Sequence, residues 1–450
     1  MHEAISASTY LTPSWAVLPF VGYLFLIAAL PLFAGRLWEP NRNKLILAIL
    51  AGIPAVVGLA GHPDGVMGQL FHTGCDYVAF MALLGSLFAI SGGIRVRGAL
   101  IGTPLVNVAF LATGAVLASV IGTTGASALL IRPLLRANAH RARATHLVVF
   151  FIFIVANAGG LLTPLGDPPL FLGFLRGVPF AWTLRLAPAW ALVNGTLLAL
   201  FAAFDRIAIV RERRKPRPLR HSDPALEVGP LRLEGTINLL WLLGIVGVVF
   251  ASGSLGARLI RHPQLQTLAQ VAGMTLFAAL SWKTTPHAVR EGNRFSWGPM
   301  IEVAAVFLGV FVTMIPALNY LEQRGASLGV TQPWQFFWAS GALSSVLDNA
   351  PTYLTFASLA VGVTDAGAGL LSASALGGLA AHPTGQHLLA AVSCGSVMMG
   401  AVTYIGNGAN FMVKAIADQH RVRTPSFFGY VAWSGTILLP VFALVAHIFF

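Results

Sequence analysis

Two polar interruptions in an otherwise oily chain constrain its fold more than any other feature. The first runs from Asn157-Ala158-Gly159-Gly160 to Thr163-Pro164-Leu165-Gly166-Asp167-Pro168-Pro169, and the second is Ser344-Ser345-Val346-Leu347-Asp348-Asn349-Ala350-Pro351-Thr352. Each places helix breakers and a carboxylate within sequence apolar enough to span a bilayer. Backbone that leaves helical form in hydrocarbon must be buried in protein or line a watery cavity, because its freed N–H and C=O groups otherwise stay unpaired. An acid at membrane depth is costly, and is therefore a functional-site hypothesis by default. A pair of such breaks, one in each half, points to a transporter with internal repeats.

The rest of the chain fits a membrane setting. It is 56% hydrophobic and only 10% charged, with a mean hydropathy of +0.75, which excludes an ordinary soluble enzyme. Runs long enough to span include Trp15–Ala34, Leu45–Ala60, Thr236–Ala251, Met300–Leu318 and Tyr430–Phe450. The start Met1-His2-Glu3-Ala4 has no basic n-region, so no cleaved signal peptide is expected. Cys75 and Cys394 have neither metal nor redox spacing, and a structural role is expected of both. There is no Walker A pattern and no dinucleotide fingerprint, so ATP hydrolysis and an organic cofactor are not expected.

The formal net charge of +12 invites a nucleic-acid reading, which the distribution of charge argues against. Read as ten crossings, 23 of the 28 Lys and Arg residues fall in alternate loops, with the densest run from Arg206 to Arg232. The remaining basic residues are Arg176, Arg185, Arg258, Arg261 and Arg324. This asymmetry assigns the first set to the cytoplasm of a bacterial-type inner membrane and both termini to the outside. The charge parity works only if Pro104–Leu135 and Trp334–Val361 enter and return on one side, as re-entrant hairpins turning at Gly122–Ser127 and Ser344–Asn349.

Each half then holds three spans, a hairpin, a broken span and a last span. Five crossings per half is odd, so the second half inserts upside down. The expected fold is an all-α polytopic membrane protein of two inverted-topology repeats, with about ten transmembrane helices, two re-entrant hairpins and two broken helices. The first repeat is residues 1–204, with its broken helix near 147–178. Residues 205–235 form a basic cytoplasmic linker, and residues 236–450 the second repeat, broken near 388–418. Asp76 and Glu302 open corresponding third spans. The Ala- and Gly-rich insert Gly362–His387 reads as an external loop or short surface helix.

Two accounts of Asp167 are open from the residues alone. It caps the restarting half-helix, with Pro168 in the first turn, or it supplies a carboxylate to a small cation. In the second account the loosened backbone from Asn157 to Thr163 and the hydroxyls of Thr123, Thr124 and Ser127 complete an oxygen shell for Na⁺. The other half exchanges the parts. There the acid, Asp348, lies at the hairpin tip with Ser344, Ser345, Asn349 and Thr352, and the broken span offers Thr403, Asn407 and Asn410. Capping is again the alternative for Asp348. Two Na⁺ sites, one per half, are thus expected, each with one carboxylate. Lys414 is either an anion contact or a residue that snorkels inward as a topology marker, and the roles of Asp76 and Glu302 stay open. His140, His146, His382 and His387 fall at expected loop ends and read as solvated.

These same residues, Asn157–Thr163 through Gly166-Asp167-Pro168-Pro169 with Asp348-Asn349, resemble the ion transporter superfamily. That group includes NhaD-type sodium/proton antiporters, citrate–metal symporters, arsenite carriers and sodium-dicarboxylate carriers. Gly122–Ser127 with Leu129–Asn138, Asn157–Pro179 and Thr403–Ala417 resemble in particular the bacterial family labelled either sodium:proton antiporters or citrate transporters. The resemblance implies scaffold helices around two hairpins and two broken helices, a homodimer, and alternating access. Departures bear on the substrate: NhaD-type antiporters carry Asp-Asn in the first hairpin, where this chain has Thr123-Thr124. Dicarboxylate carriers have Ser-Asn-Thr at both tips, and neither tip here does.

The leading expectation is Na⁺/H⁺ antiport. Helix N-termini attract anions, but Asp167 and Asp348 occupy those positive ends and favour cations in the cavity. The main alternative is cation-coupled citrate or dicarboxylate transport. An intramembrane aspartyl protease is remote, since Leu165-Gly166-Asp167 lacks the first glycine of Gly-x-Gly-Asp and the acids fall in separate expected sites; a passive channel is the other reading.

Overall fold

The computed structural model describes residues 11–60, 65–99, 101–141, 143–214, 229–254, 262–293, 295–364, 375–420 and 422–450. Helices Leu18–Phe33, Asn41–Val57 and Gly65–Ser91 come first, followed by the helix pair Pro104–Ile121 and Thr123–Ala137. An interrupted helix comes next, made of Thr145–Ile154, a 3-10 turn at Ala158–Leu162 and Pro168–Leu175; Ala187–Arg214 closes the half. After residue 235 the order recurs: Ile237–Ser254, Pro263–Thr284 and Gly298–Arg324, then the pair Pro333–Ser344 and Asn349–Val363. Its interrupted helix is Gly385–Met399, Gly400–Val402 and Gly408–Gln419, and Phe427–Phe449 ends the chain. Eight stretches of the described residues are long and apolar enough to cross a membrane. The protein is therefore a predominantly helical, multi-pass membrane protein.

Local sequence explains where the helix pairs start and turn. Thr103 accepts a hydrogen bond from the Val106 N–H at 3.3 Å, and Pro104 fills the first turn. The reversal is made by Gly122 alone, at φ +80, a region costly for any residue with a Cβ. The turn is thus shorter than the sequence implies, and Thr123–Ser127 are already helical. At the other end the Gly102 N–H donates to the Ala137 carbonyl at 2.8 Å. Asn107 and Asn138 also exchange amide hydrogen bonds of 3.0 and 2.7 Å. The first hairpin therefore begins and ends at one place. In the second, Gln332 and Gln335 form a capping box and Asp348 caps the returning helix.

The interrupted helices lie at the centre. Every residue from His146 to Ile154 is buried, as is nearly all of Gly385–Met399. Around them, Gly298–Arg324 packs along Asn41–Val57 and Pro263–Thr284 along Gly65–Ser91. Phe80 lies against Phe307 and Phe311, with ring centroids 5.0 and 5.5 Å apart.

Several details differ from the sequence expectations or add to them. Beside the helices, Arg95–Ala99 and Gly229–Glu234 form a two-stranded antiparallel ribbon, pairing Arg95 with Glu234 and Val96 with Leu233. The linker is shorter than residues 205–235, because Ala187–Arg214 stays helical through Asp205 and the ribbon takes its end. Asp205 is buried because Arg141 forms an ion pair with it, while Asn107 Nδ2 (2.9 Å) and His146 Nε2 (2.8 Å) lie in hydrogen-bond contact. His146 is buried with it rather than solvated. Asp76 lies inside a helix that starts at Gly65 instead of opening it, whereas Glu302 does sit in the first turns of its helix and pairs with Lys44 at 2.7 Å. The linker's middle, residues 215–228, and residues 365–374 of the insert lie outside the described residues; Ala375–Ala381 of the insert is a short helix.

Candidate functional site

The two interruptions are built alike. Thr163 donates its hydroxyl to the Ser119 carbonyl at 2.5 Å and accepts from the Leu165 N–H at 3.1 Å. Thr403 donates to the Ser345 carbonyl at 2.5 Å and accepts from the Ile405 N–H at 3.0 Å. Each threonine thus satisfies backbone that the lost helix has freed, and ties a broken helix to a hairpin tip. Gly166 and Gly406 follow at the same spacing. A Cβ on Gly166 would lie 2.0 Å from the Gly160 carbonyl oxygen, and one on Gly406 2.6 Å from that of Gly400. Chain segments cross here at a separation only glycine permits. Ser119 Oγ bonds the Gly159 carbonyl at 2.6 Å, and Tyr430 and Ser434 bond the carbonyls of Ala401 and Val402 at 2.8 and 2.6 Å.

One position after each glycine, the halves diverge. Asn407 N-caps Gly408–Gln419, its Oδ1 accepting from the Ala409 N–H at 3.0 Å. Asp167 stands at the N-cap of Pro168–Leu175 yet makes no side-chain capping bond. Its carboxylate instead accepts from Thr123 Oγ1 at 2.9 Å and, on the other oxygen, from Asn349 Nδ2. Both donors are the first helical residue after a hairpin tip. Asp167 is only 2% exposed. Asn407 and the Asp348 carboxylate lie close enough to interact with it.

A chain of amides runs on from there. Asn407 Nδ2 donates to Asn157 Oδ1 at 3.2 Å and to the Ala156 carbonyl at 3.1 Å. Asn157 Nδ2 donates to Asn410 Oδ1 at 2.8 Å, and Asn410 Nδ2 to the carbonyls of Gly400 and Thr403, both at 2.9 Å. The residues expected to form two separate sites therefore form one connected polar centre across both halves.

Not every expected residue joins it. Asp348 Oδ1 caps the Ala350 N–H at 3.0 Å, so the capping account describes Asp348, although its charge sits beside the centre. Thr352 bonds the Asp348 carbonyl at 3.0 Å, and Ser344 the Ser396 carbonyl at 2.6 Å; both are supports. Ser345 bonds back to Ala342 at 2.7 Å. Ser127 Oγ, buried one turn beyond Thr123, has no hydrogen-bond partner among the described residues. Thr124 is exposed. Lys414 is paired with Asp418 at 2.8 Å on its own helix. Among the described residues no group of three or more His, Cys, Asp or Glu is placed to hold a metal ion. Sequence reading missed the supporting roles of Ser119, Tyr430 and Ser434, whose hydroxyls have no local motif to mark them.

Chemically, the centre offers one carboxylate at Asp167 with hydroxyl, amide and carbonyl oxygens around it, and among the described residues no Lys or Arg hydrogen-bonds into it. That set suits a small hard cation or a proton. No curated protein matches the chain significantly. A family profile does, over residues 9–450, and the family is one of transporters, not enzymes, which removes the protease reading. The chain belongs to the family described as "Putative citrate transport".

Proposed function

We propose that this secondary transporter exchanges Na⁺ for H⁺ at Asp167 by alternating access. In this reading two inverted repeats carry re-entrant hairpins, the linker is cytoplasmic, and the protein works as a homodimer. The observation that carries it is the placement of the Asp167 carboxylate, which leaves its own helix uncapped and is held instead by Thr123 and Asn349 from two hairpin tips. A carboxylate shared between a proton and a cation is a minimal antiport device, since burial favours the neutral form and a bound cation the charged one. Thr123 suits both states, because its hydroxyl donates to the carboxylate while its oxygen keeps lone pairs able to ligate a cation. The amide oxygen of Asn349, whose Nδ2 donates to Asp167, adds a neutral ligand. The test is Na⁺-driven pH change in proteoliposomes loaded with a pH dye. Activity in the native protein and none in Asp167→Asn supports antiport; no pH response to Na⁺ or other small cations rejects it.

The second reading, cation-coupled citrate transport, is favoured by the family description. With Lys414 paired to Asp418, a citrate anion would be bound through cations already at the centre. Radiolabelled citrate uptake that requires Asp167 and an added cation, without a pH response to Na⁺, would put this reading first.

A further inference from the structure

Corresponding positions in the two halves are not equally covered. Phe171 and Phe411 each lie four residues after the residue that ends its interruption, Asp167 or Asn407. Phe171 is fully buried and Phe411 is 45% exposed. At the hairpin tips, Thr124 is exposed while Ala350, the matching second residue of its helix, is fully buried. The helix beyond the second tip, Asn349–Val363, packs closely along Gly298–Arg324. A Cβ on Gly362 would lie 2.6 Å from the Leu321 carbonyl oxygen and 2.7 Å from that of Glu322. Buried Ser358 donates from Oγ to Glu322 Oε1 at 2.9 Å across the same contact. The helix beyond the first tip approaches Gly65–Ser91 less closely: a Cβ on Gly125 would sit 3.4 Å from Ser91, an ordinary contact. Arg176, which caps Pro168–Leu175, is an electrostatic neighbour of both Glu322 and Asp76. Those acids stand on two different surrounding helices, Gly298–Arg324 and Gly65–Ser91.

We propose that Glu322, Ser358, Arg176 and Asp76 form a latch that closes one face of the molecule over Asp167, leaving the face at Thr124 and Phe411 open in this state. The latch joins elements that carry the centre, the second hairpin and the first interrupted helix, to helices that surround it. A buried hydrogen bond to a carboxyl oxygen is costly to leave unmade and is replaced when water reaches it, so it suits a gate between two arrangements. The inference rests on the proposed topology for its sidedness: the latch is then external and the open face cytoplasmic. A ligand is not needed to test it.

The experiment uses Thr124→Cys in a Cys75→Ser/Cys394→Ser chain, labelled with a membrane-impermeant maleimide in inside-out and right-side-out vesicles. With the latch intact, labelling is expected from the cytoplasmic face only. Ser358→Ala and Arg176→Gln are each expected to slow that labelling about tenfold, as the population shifts to the state closed on that side. Unchanged labelling in the release variants overturns the proposal, as does a Thr124→Cys site unreachable from the cytoplasmic face. Size-exclusion profiles identify a variant that fails to fold; Arg176→Gln, which leaves the Ser358–Glu322 hydrogen bond in place, carries the test if Ser358→Ala does not fold. Because neither Na⁺ nor citrate enters the assay, failure of the transport reading leaves its outcome interpretable.

Discussion

Asp167 and Asn407 hold matching places and do opposite things. Asn407 spends its side-chain oxygen on its own helix, whereas Asp167 leaves its helix uncapped and turns to Thr123 and Asn349. Asp167→Asn therefore keeps the size of the side chain and removes the charge: transport should fall to background while the protein still purifies as a monodisperse species. Asp348→Asn is a different experiment. Asn caps a helix about as well as Asp, so the Ala350 N–H stays satisfied and stability should be near native. A loss of transport in that variant, measured in the same proteoliposomes, would report the charge beside the centre alone. Asp167 was legible in sequence as an acid among helix breakers. That its second oxygen is held by Asn349 was not, because nothing local links residues in opposite halves, and each acid was assigned to its own half.

At the scale of elements, the interruptions depend on close backbone crossing. Gly166→Ala puts a methyl group against the Gly160 carbonyl and should cost about 1–3 kcal/mol or more, read as a lowered midpoint of thermal unfolding in detergent. The root of the first hairpin depends on Asp205, which joins Asn107, Arg141 and His146. Asp205→Leu leaves Arg141 buried without that partner and should cost about 3–5 kcal/mol, seen as reduced yield and a lower unfolding temperature than in an Asn107→Leu control. Helix breakers made the paired helices around Gly122 and Asp348 legible. The reach of Ala187–Arg214 was not, since an exposed basic helix and a basic linker share the same composition; only the burial of Asp205 tells them apart.

For the whole molecule, the positive-inside asymmetry makes a direct prediction. Arg206→Cys and Arg185→Cys are exposed positions toward opposite ends of one long helical stretch. In a chain without other cysteines, an impermeant maleimide should label Arg206→Cys only from the cytoplasm and Arg185→Cys only from outside. Labelling of both from one side would overturn the proposed topology.

The ribbon of Arg95–Ala99 and Gly229–Glu234 bears on how the gene can be divided. A cut within residues 215–228 leaves the second strand with the C-terminal piece and its mate with the N-terminal piece. The two fragments, made together from separate reading frames, then carry their own zipper, aligned at the root of the first hairpin. Moving the cut past Glu234 would give both strands to the N-terminal fragment and take that zipper away.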